Sequence, residues 1–240
     1  MDLPRGGQVT RRGPATPSTR RIGAALLTML TLGSATAGAQ SPAVVPESNY
    51  YYGIYRKSAE AGDAKAQFFL GLLHERGLDG VPDLASALHW FGKAAGQGHR
   101  EAQYKIGLMY HYGRGVGRDV QVAVKWYRAA ADQGLAEAQY NLGYMYENGS
   151  GIERDAARAV AWYRRAAIQG VGAALFNLGV LYAKGNGIER NLAQAWLWLS
   201  LAAETGDKSA ARMRDELAIE MDKDKLEEAR RLLADWHKSG

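Results

Sequence analysis

Five histidines, a series of glycine-rich turns and plentiful Ser, Asp and Glu are the residues of this chain that could do chemistry. His74, His89, His99, His111 and His237 are able to ligate a metal or move a proton, but ligation needs several ligands gathered on one face. No two of them stand four residues apart, and none repeats another's place in the chain's 36-residue period. They read as scattered surface positions, so no metal site and no cofactor is expected. Gly113-Arg114-Gly115-Val116-Gly117-Arg118-Asp119 has the look of a phosphate cradle ahead of a basic helix. A phosphate loop follows a strand, whereas this Gly-x-Gly returns at Gly149/Gly151 and Gly185/Gly187 and reads as a turn. Nothing forms a nucleophile motif, so no catalytic residue is assigned and the chain is read as a non-enzyme.

The elements that would position any site follow from the period. Gly62, Gly98, Gly134, Gly170 and Gly206 are spaced by 36 residues, and so are Gly71, Gly107, Gly143 and Gly179, and Trp90, Trp126, Trp162 and Trp198. A fixed period of this length marks a solenoid, in which each unit buries its apolar face only against its neighbours. Within one unit Ala138, Leu142, Met145 and Tyr146 recur at helical spacing. Asp155 stands at an N-cap, with Asp83, Asp119 and Asn191 as counterparts, and Gly98, Gly134 and Gly170 close the second helices.

The predicted fold is all-α: a helix-turn-helix repeat solenoid, or α/α superhelix, over residues 50–206, with four full 36-residue repeats beginning at about Ala59, Ala95, Ala131 and Ala167. Half-repeats cap it. Ile54-Tyr55-Arg56-Lys57-Ser58-Ala59 is in register with Trp126 through Ala131, so a lone second helix is expected from about Glu47. Ala210 matches Ala174, but Asp215 replaces the mid-helix glycine, and residues 207–240 are expected as C-terminal capping helices. A mid-helix glycine costs about 1 kcal/mol relative to alanine. Four of them predict close approach of the facing helix, with Trp or another aromatic against the missing side chain. The Trp and Tyr of the second helices are accordingly assigned to the core.

The N-terminus carries a different signal. Arg11, Arg12, Arg20 and Arg21 precede a short apolar stretch, Ile22 to Leu32, and Ala37-Gly38-Ala39 follows before Gln40. This predicts a secretory signal peptide over residues 1–39, then a linker over 40–49. The apolar stretch falls short of the roughly 20 residues of a permanent span, so no stable membrane insertion is expected and the protein is read as periplasmic or secreted. The formal charge of +5 belongs mostly to the leader, which holds five Arg and one Asp. The remaining chain has 25 basic and 24 acidic residues, which gives a nucleic-acid partner no support. Cysteine is absent, so stability must come from the core.

The unit resembles the Sel-one-like repeat (SLR), a relative of the tetratricopeptide repeat. The likeness rests on Ala138-Gln139-Tyr140-Asn141-Leu142-Gly143-Tyr144-Met145-Tyr146-Glu147-Asn148-Gly149, on the Gly-x-Gly turns, and on Trp126-Tyr127-Arg128-Ala129-Ala130 and Trp162-Tyr163-Arg164-Arg165-Ala166. It covers residues 50 to 210. The resemblance implies an α-superhelix that serves as an adaptor or assembly scaffold, in bacteria often exported. A secreted branch of the family with paired cysteines is associated with β-lactam or peptidoglycan-fragment binding. This chain has no cysteine, so that association transfers poorly.

Binding residues are then sought on the first helices, which line the concave surface in related solenoids. The stripe through Ala138, Leu142 and Tyr146 leaves Asn141, Tyr144 and Asn148 on another face. Aligned with them are Lys105, Leu108 and Tyr112 in the preceding repeat, and Asn177 and Lys184 in the next. Amides, lysines and tyrosines suit a groove that grips an extended protein or peptide partner. The alternative is a cell-wall glycan or muropeptide stacked on Tyr112 and Tyr144, and a cell-wall or β-lactam hydrolase is the weaker rival.

Overall fold

The computed structural model describes residues 47–77 and 80–239. The expected signal peptide and most of the expected linker lie outside the described residues. Those described contain eleven α-helices and no strand. Helix α1 (Glu47–Glu60) stands alone, so the last three residues of the segment read as linker are helical. Four pairs follow: α2 (Ala64–Arg76) with α3 (Leu84–Gly96), α4 (Arg100–Tyr112) with α5 (Val120–Asp132), α6 (Ala136–Asn148) with α7 (Ala156–Ile168), and α8 (Gly172–Lys184) with α9 (Leu192–Glu204). Helices α10 (Lys208–Glu220) and α11 (Lys223–Ser239) end the series, and both pack on α9. Each first helix packs on its own second helix and on the second helix before it.

The boundaries have local causes. Oδ1 of Asp83, Asp119, Asp155 and Asn191 accepts the backbone N–H three residues on, at 2.9, 3.0, 2.9 and 2.9 Å, and starts each second helix. The first helices of three units end on Gly113, Gly149 and Gly185, with φ of 68°, 66° and 65°. The second glycine of each turn is fixed by close approach to the preceding unit. A Cβ on Gly151 would lie 2.7 Å from the Val120 carbonyl oxygen, and one on Gly187 would lie 2.8 Å from Ala156 Cβ. The turns therefore stack unit on unit.

The mid-helix glycines admit a side chain from the facing helix. A Cβ at Gly107 would sit 2.6 Å from the Tyr127 ring, and one at Gly143 would sit 2.7 Å from the Tyr163 ring. Phe91 takes the same place on Gly71, and Leu199 does so on Gly179. Here the structure corrects the sequence reading. The core residue is the one after the tryptophan, and Phe91, Tyr127, Tyr163 and Leu199 are all fully buried. Trp90, Trp126 and Trp162 are only half-buried, with Lys93 over the Trp90 ring and Arg165 over the Trp162 ring at 4.6 and 4.5 Å. Only Trp198, 1% exposed and edge-on to Trp236 of α11, is a core tryptophan.

Each of the first three units carries an identical buried polar tie. Nε2 of Gln67, Gln103 and Gln139 donates to the carbonyls of Ala59, Ala95 and Ala131 in the preceding second helix, at 3.0, 3.3 and 3.2 Å. Their Oε1 atoms accept from Nε2 of Gln97, Gln133 and Gln169, at the end of their own second helices, at 2.7, 2.8 and 2.8 Å. One pair of amides thus joins three helices, and its buried polar atoms are satisfied.

Candidate interaction surface

The face of interest is built by helix register. On α6, Tyr140, Tyr144 and Glu147 are spaced at i, i+4 and i+7 and share one stripe. Phe68, Tyr104, Tyr140 and Phe176 occupy the same register on the four first helices, and each of the first three tilts against the buried ring of its unit. The centroid separations are 5.7 Å for Phe68 and Phe91, 5.8 Å for Tyr104 and Tyr127, and 5.6 Å for Tyr140 and Tyr163. The result is an aromatic row that crosses from unit to unit, with hydroxyl groups along its middle.

The residues expected on this face divide into two groups. Three are committed to neighbouring helices. Lys105 Nζ donates to Glu75 Oε2 at 2.7 Å, Asn141 Nδ2 donates to the Tyr104 hydroxyl at 3.2 Å, and Asn177 Nδ2 donates to the Tyr163 hydroxyl at 3.0 Å. Leu108 is half-buried against the core. The others face solvent. Tyr112 is 64% exposed and Tyr144 43% exposed. Asn148 is exposed while its Nδ2 bonds the Tyr144 carbonyl at 2.9 Å, and Lys184 is exposed in the last turn of α8. Lys105, Asn141 and Asn177 therefore shape the surface by tying first helices together or to a buried ring, and the exposed tyrosines form its rim.

Sequence reasoning missed the partners of the two buried tyrosine hydroxyls. Tyr163 donates its hydroxyl hydrogen to Glu147 Oε2 at 2.7 Å, and His111 Nδ1 lies 3.1 Å from the Tyr127 hydroxyl. The His111 ring stacks on Tyr112, with centroids 4.5 Å apart and planes 8° from parallel. The aromatic register from Phe68 to Phe176 was the available signal, since it repeats with the glycines.

Electrostatics make this surface a fixed hydrogen-bonding platform. Burial, and then the Glu147 carboxylate, pushes the Tyr163 hydroxyl far above its ordinary range. Burial does the same to Tyr127, aided by Tyr104 and Tyr112. Both stay protonated at any physiological pH. Burial, and then Arg118, lowers the pKa of His111, which favours a neutral ring. The two buried hydroxyls thus hold Glu147 and His111 in place beneath the surface. Among the described residues no three of His, Asp and Glu come close enough to hold a metal ion. No described helix is long and apolar enough to cross a membrane.

Comparison with known proteins agrees with this geometry. The Sel1 repeat model matches residues 64–99, 100–135, 136–171 and 172–207, each a first and a second helix. The crystal structure of a Sel1 repeat protein from Oxalobacter formigenes is 32% identical over 69% of this chain and 72% of its own, with a TM-score of 0.61. A protective antigen of uropathogenic Escherichia coli with an SLR fold is 28% identical, with a TM-score of 0.50. That match covers 81% of this chain but only 52% of the antigen. No curated protein matches the chain significantly. Sel1 repeat proteins are generally protein–protein interaction scaffolds. With four matched units, each closing a mid-helix glycine against a residue of its second helix, the chain belongs to the Sel1 repeat family.

Proposed function

We propose that the chain is an exported, non-catalytic scaffold that holds a segment of another protein along the face of its first helices. The observation that carries this reading is the row of rings repeated in register from α2 to α8, with Asn141 and Asn177 beside it and Tyr112 and Tyr144 exposed. An extended peptide presents backbone donors and acceptors at regular intervals, and a row of hydroxyls and amides is suited to meet them. Exposed tyrosine offers contact area at low entropic cost. Export is read from the charged, apolar and small-residue segments of residues 1–39, which put the partner in the periplasm or outside the cell.

The test uses the chain from Gln40 to Gly240 as bait in an envelope extract, beside a Tyr112→Ala/Tyr144→Ala double variant. Both substitutions remove exposed rings and leave the amide ties intact. A protein retained by the first bait and lost from the second is the expected result. Equal retention by both would move binding off this face. Retention of soluble peptidoglycan in place of protein would favour the sugar-stacking alternative for the same two rings.

A further inference from the structure

One position on the first helices meets opposite electrostatic conditions in two units. In the first unit it is Glu75, whose carboxylate takes Lys105 Nζ at 2.7 Å and lies 3.4 Å from Arg114 Nη1. In the third unit it is Glu147. The residues that stand to Glu147 as Lys105 and Arg114 stand to Glu75 are Asn177 and Asn186. Both cations have been replaced by neutral amides. Glu147 accepts the Tyr163 hydroxyl and makes no ion pair among the described residues. Arg154, the cation of the following turn, donates its Nε to the Glu147 backbone carbonyl at 3.1 Å.

The surroundings of Glu147 suit a cation from outside. Tyr140 and Tyr144 share its helix stripe. Glu147 accepts the Tyr163 hydroxyl at 2.7 Å, and the Tyr163 ring lies 5.6 Å from that of Tyr140, so the carboxylate sits on the aromatic stripe. Aromatic faces attract cations, and a half-buried carboxylate without a counter-ion attracts them more strongly. We propose that Glu147, beside the exposed ring of Tyr144 one turn earlier on the same helix, receives the lysine or arginine side chain of a bound peptide. The proposal rests on the first-helix face being the binding surface. It adds that the partner segment is basic at the point that meets the third unit.

The experiment selects binders from a phage-displayed random dodecapeptide library on the chain from Gln40 to Gly240. The best peptide is then made with each Lys or Arg replaced by norleucine. Glu147→Gln is the informative variant, because the amide oxygen still accepts the Tyr163 hydroxyl while the charge is gone. Glu153→Gln, an equal charge change in the exposed turn that follows, is the control. Selected peptides should share a basic residue. Its replacement, or Glu147→Gln, should weaken binding about tenfold, the two losses should not add, and rising salt should shrink them. Glu153→Gln should leave binding unchanged. Peptides that bind this face, lose affinity with Tyr144→Ala and yet ignore Glu147→Gln would overturn the proposal alone. A library that yields no binder would overturn both this proposal and the scaffold reading beneath it.

Discussion

In the first three units, a buried glutamine on the first helix and a second glutamine at the end of the second helix join three helices through side-chain amides. In the fourth unit those two positions are Leu175 and Thr205. Leu175 is buried, and Thr205 turns its hydroxyl inward to the Ala202 carbonyl at 2.7 Å. The ring against the mid-helix glycine changes as well, from Phe91, Tyr127 and Tyr163 to Leu199. Both partners of the amide pair are lost together, so no buried glutamine oxygen is left without its donor. The joint that loses the tie is the one between the third and fourth units, where Leu175 and Ala167 lie in one continuous apolar core. The other three joints keep an amide that must find its partner, which fixes their register.

The largest effect should come from the buried ring. Tyr163→Ala is expected to cost about 3–5 kcal/mol in denaturant unfolding, as truncation of a fully buried aromatic does. Trp162→Ala, which removes a half-buried ring, should cost clearly less. Equal losses would restore tryptophan to the core of the interior units. Next comes the glycine facing that ring. Gly143→Ala would press a methyl against Tyr163, whose hydroxyl is held by Glu147 and Asn177, and overpacking of this kind costs about 1–3 kcal/mol. Gly179→Ala meets Leu199, which has no such anchor, and the gain of about 1 kcal/mol in helix propensity offsets part of the strain. Melting temperatures that fall equally would remove this contrast between the units.

The amide tie can be tested by copying the fourth unit into the third. Gln139→Leu alone removes both bonds of the tie, but the exposed Gln169 keeps the Arg165 carbonyl and the Ala131 carbonyl keeps the Gly134 N–H, so the cost should stay near the ~1 kcal/mol net worth of a hydrogen bond. The pair Gln139→Leu/Gln169→Thr should be no less stable than Gln139→Leu alone, since both lose the same bond, and a double variant as unstable as the sum of its parts would refute the coupling. The smallest effect is acid sensitivity. His74, His99 and His111 all lie in the first two units, and burial lowers the pKa of each below the ordinary value near 6.5. Their folded forms resist protonation, so stability is highest above about pH 6.5 and falls as the pH drops through the depressed values. Hydrogen exchange resolved along the chain should show the first two units losing protection before the last two. Uniform loss would assign the sensitivity to the carboxylates.

The sequence carried the period, the caps and the glycine-bearing turns plainly, because each depends on one residue type at one backbone position. It was less informative about rotation. Trp126 and Tyr127 are adjacent, so a helix points them about 100° apart and only one can face the glycine. Spacing alone gives both the same period. Asn141 and Asn177 were expected to face a partner, and their amides are taken up by tyrosine hydroxyls that composition cannot pair with them. The glutamine tie was in view, since Gln67, Gln103 and Gln139 repeat with Gln97, Gln133 and Gln169. Glutamine ordinarily reads as surface, and the joint loss at Leu175 and Thr205 was the sign that the two positions are coupled.

The amide tie also bears on how such a chain can change its length. It is made between a unit's own two glutamines and a backbone carbonyl of the unit before, and a carbonyl is supplied by any residue. A tandem duplication of 36 residues, in phase with the glycines, would arrive with both amides and find its acceptor ready-made. Growth by whole modules is therefore open at the interior joints. Duplicating the fourth module instead would insert an apolar joint with no keyed contact, so lengthening at that end would loosen the alignment of everything after it.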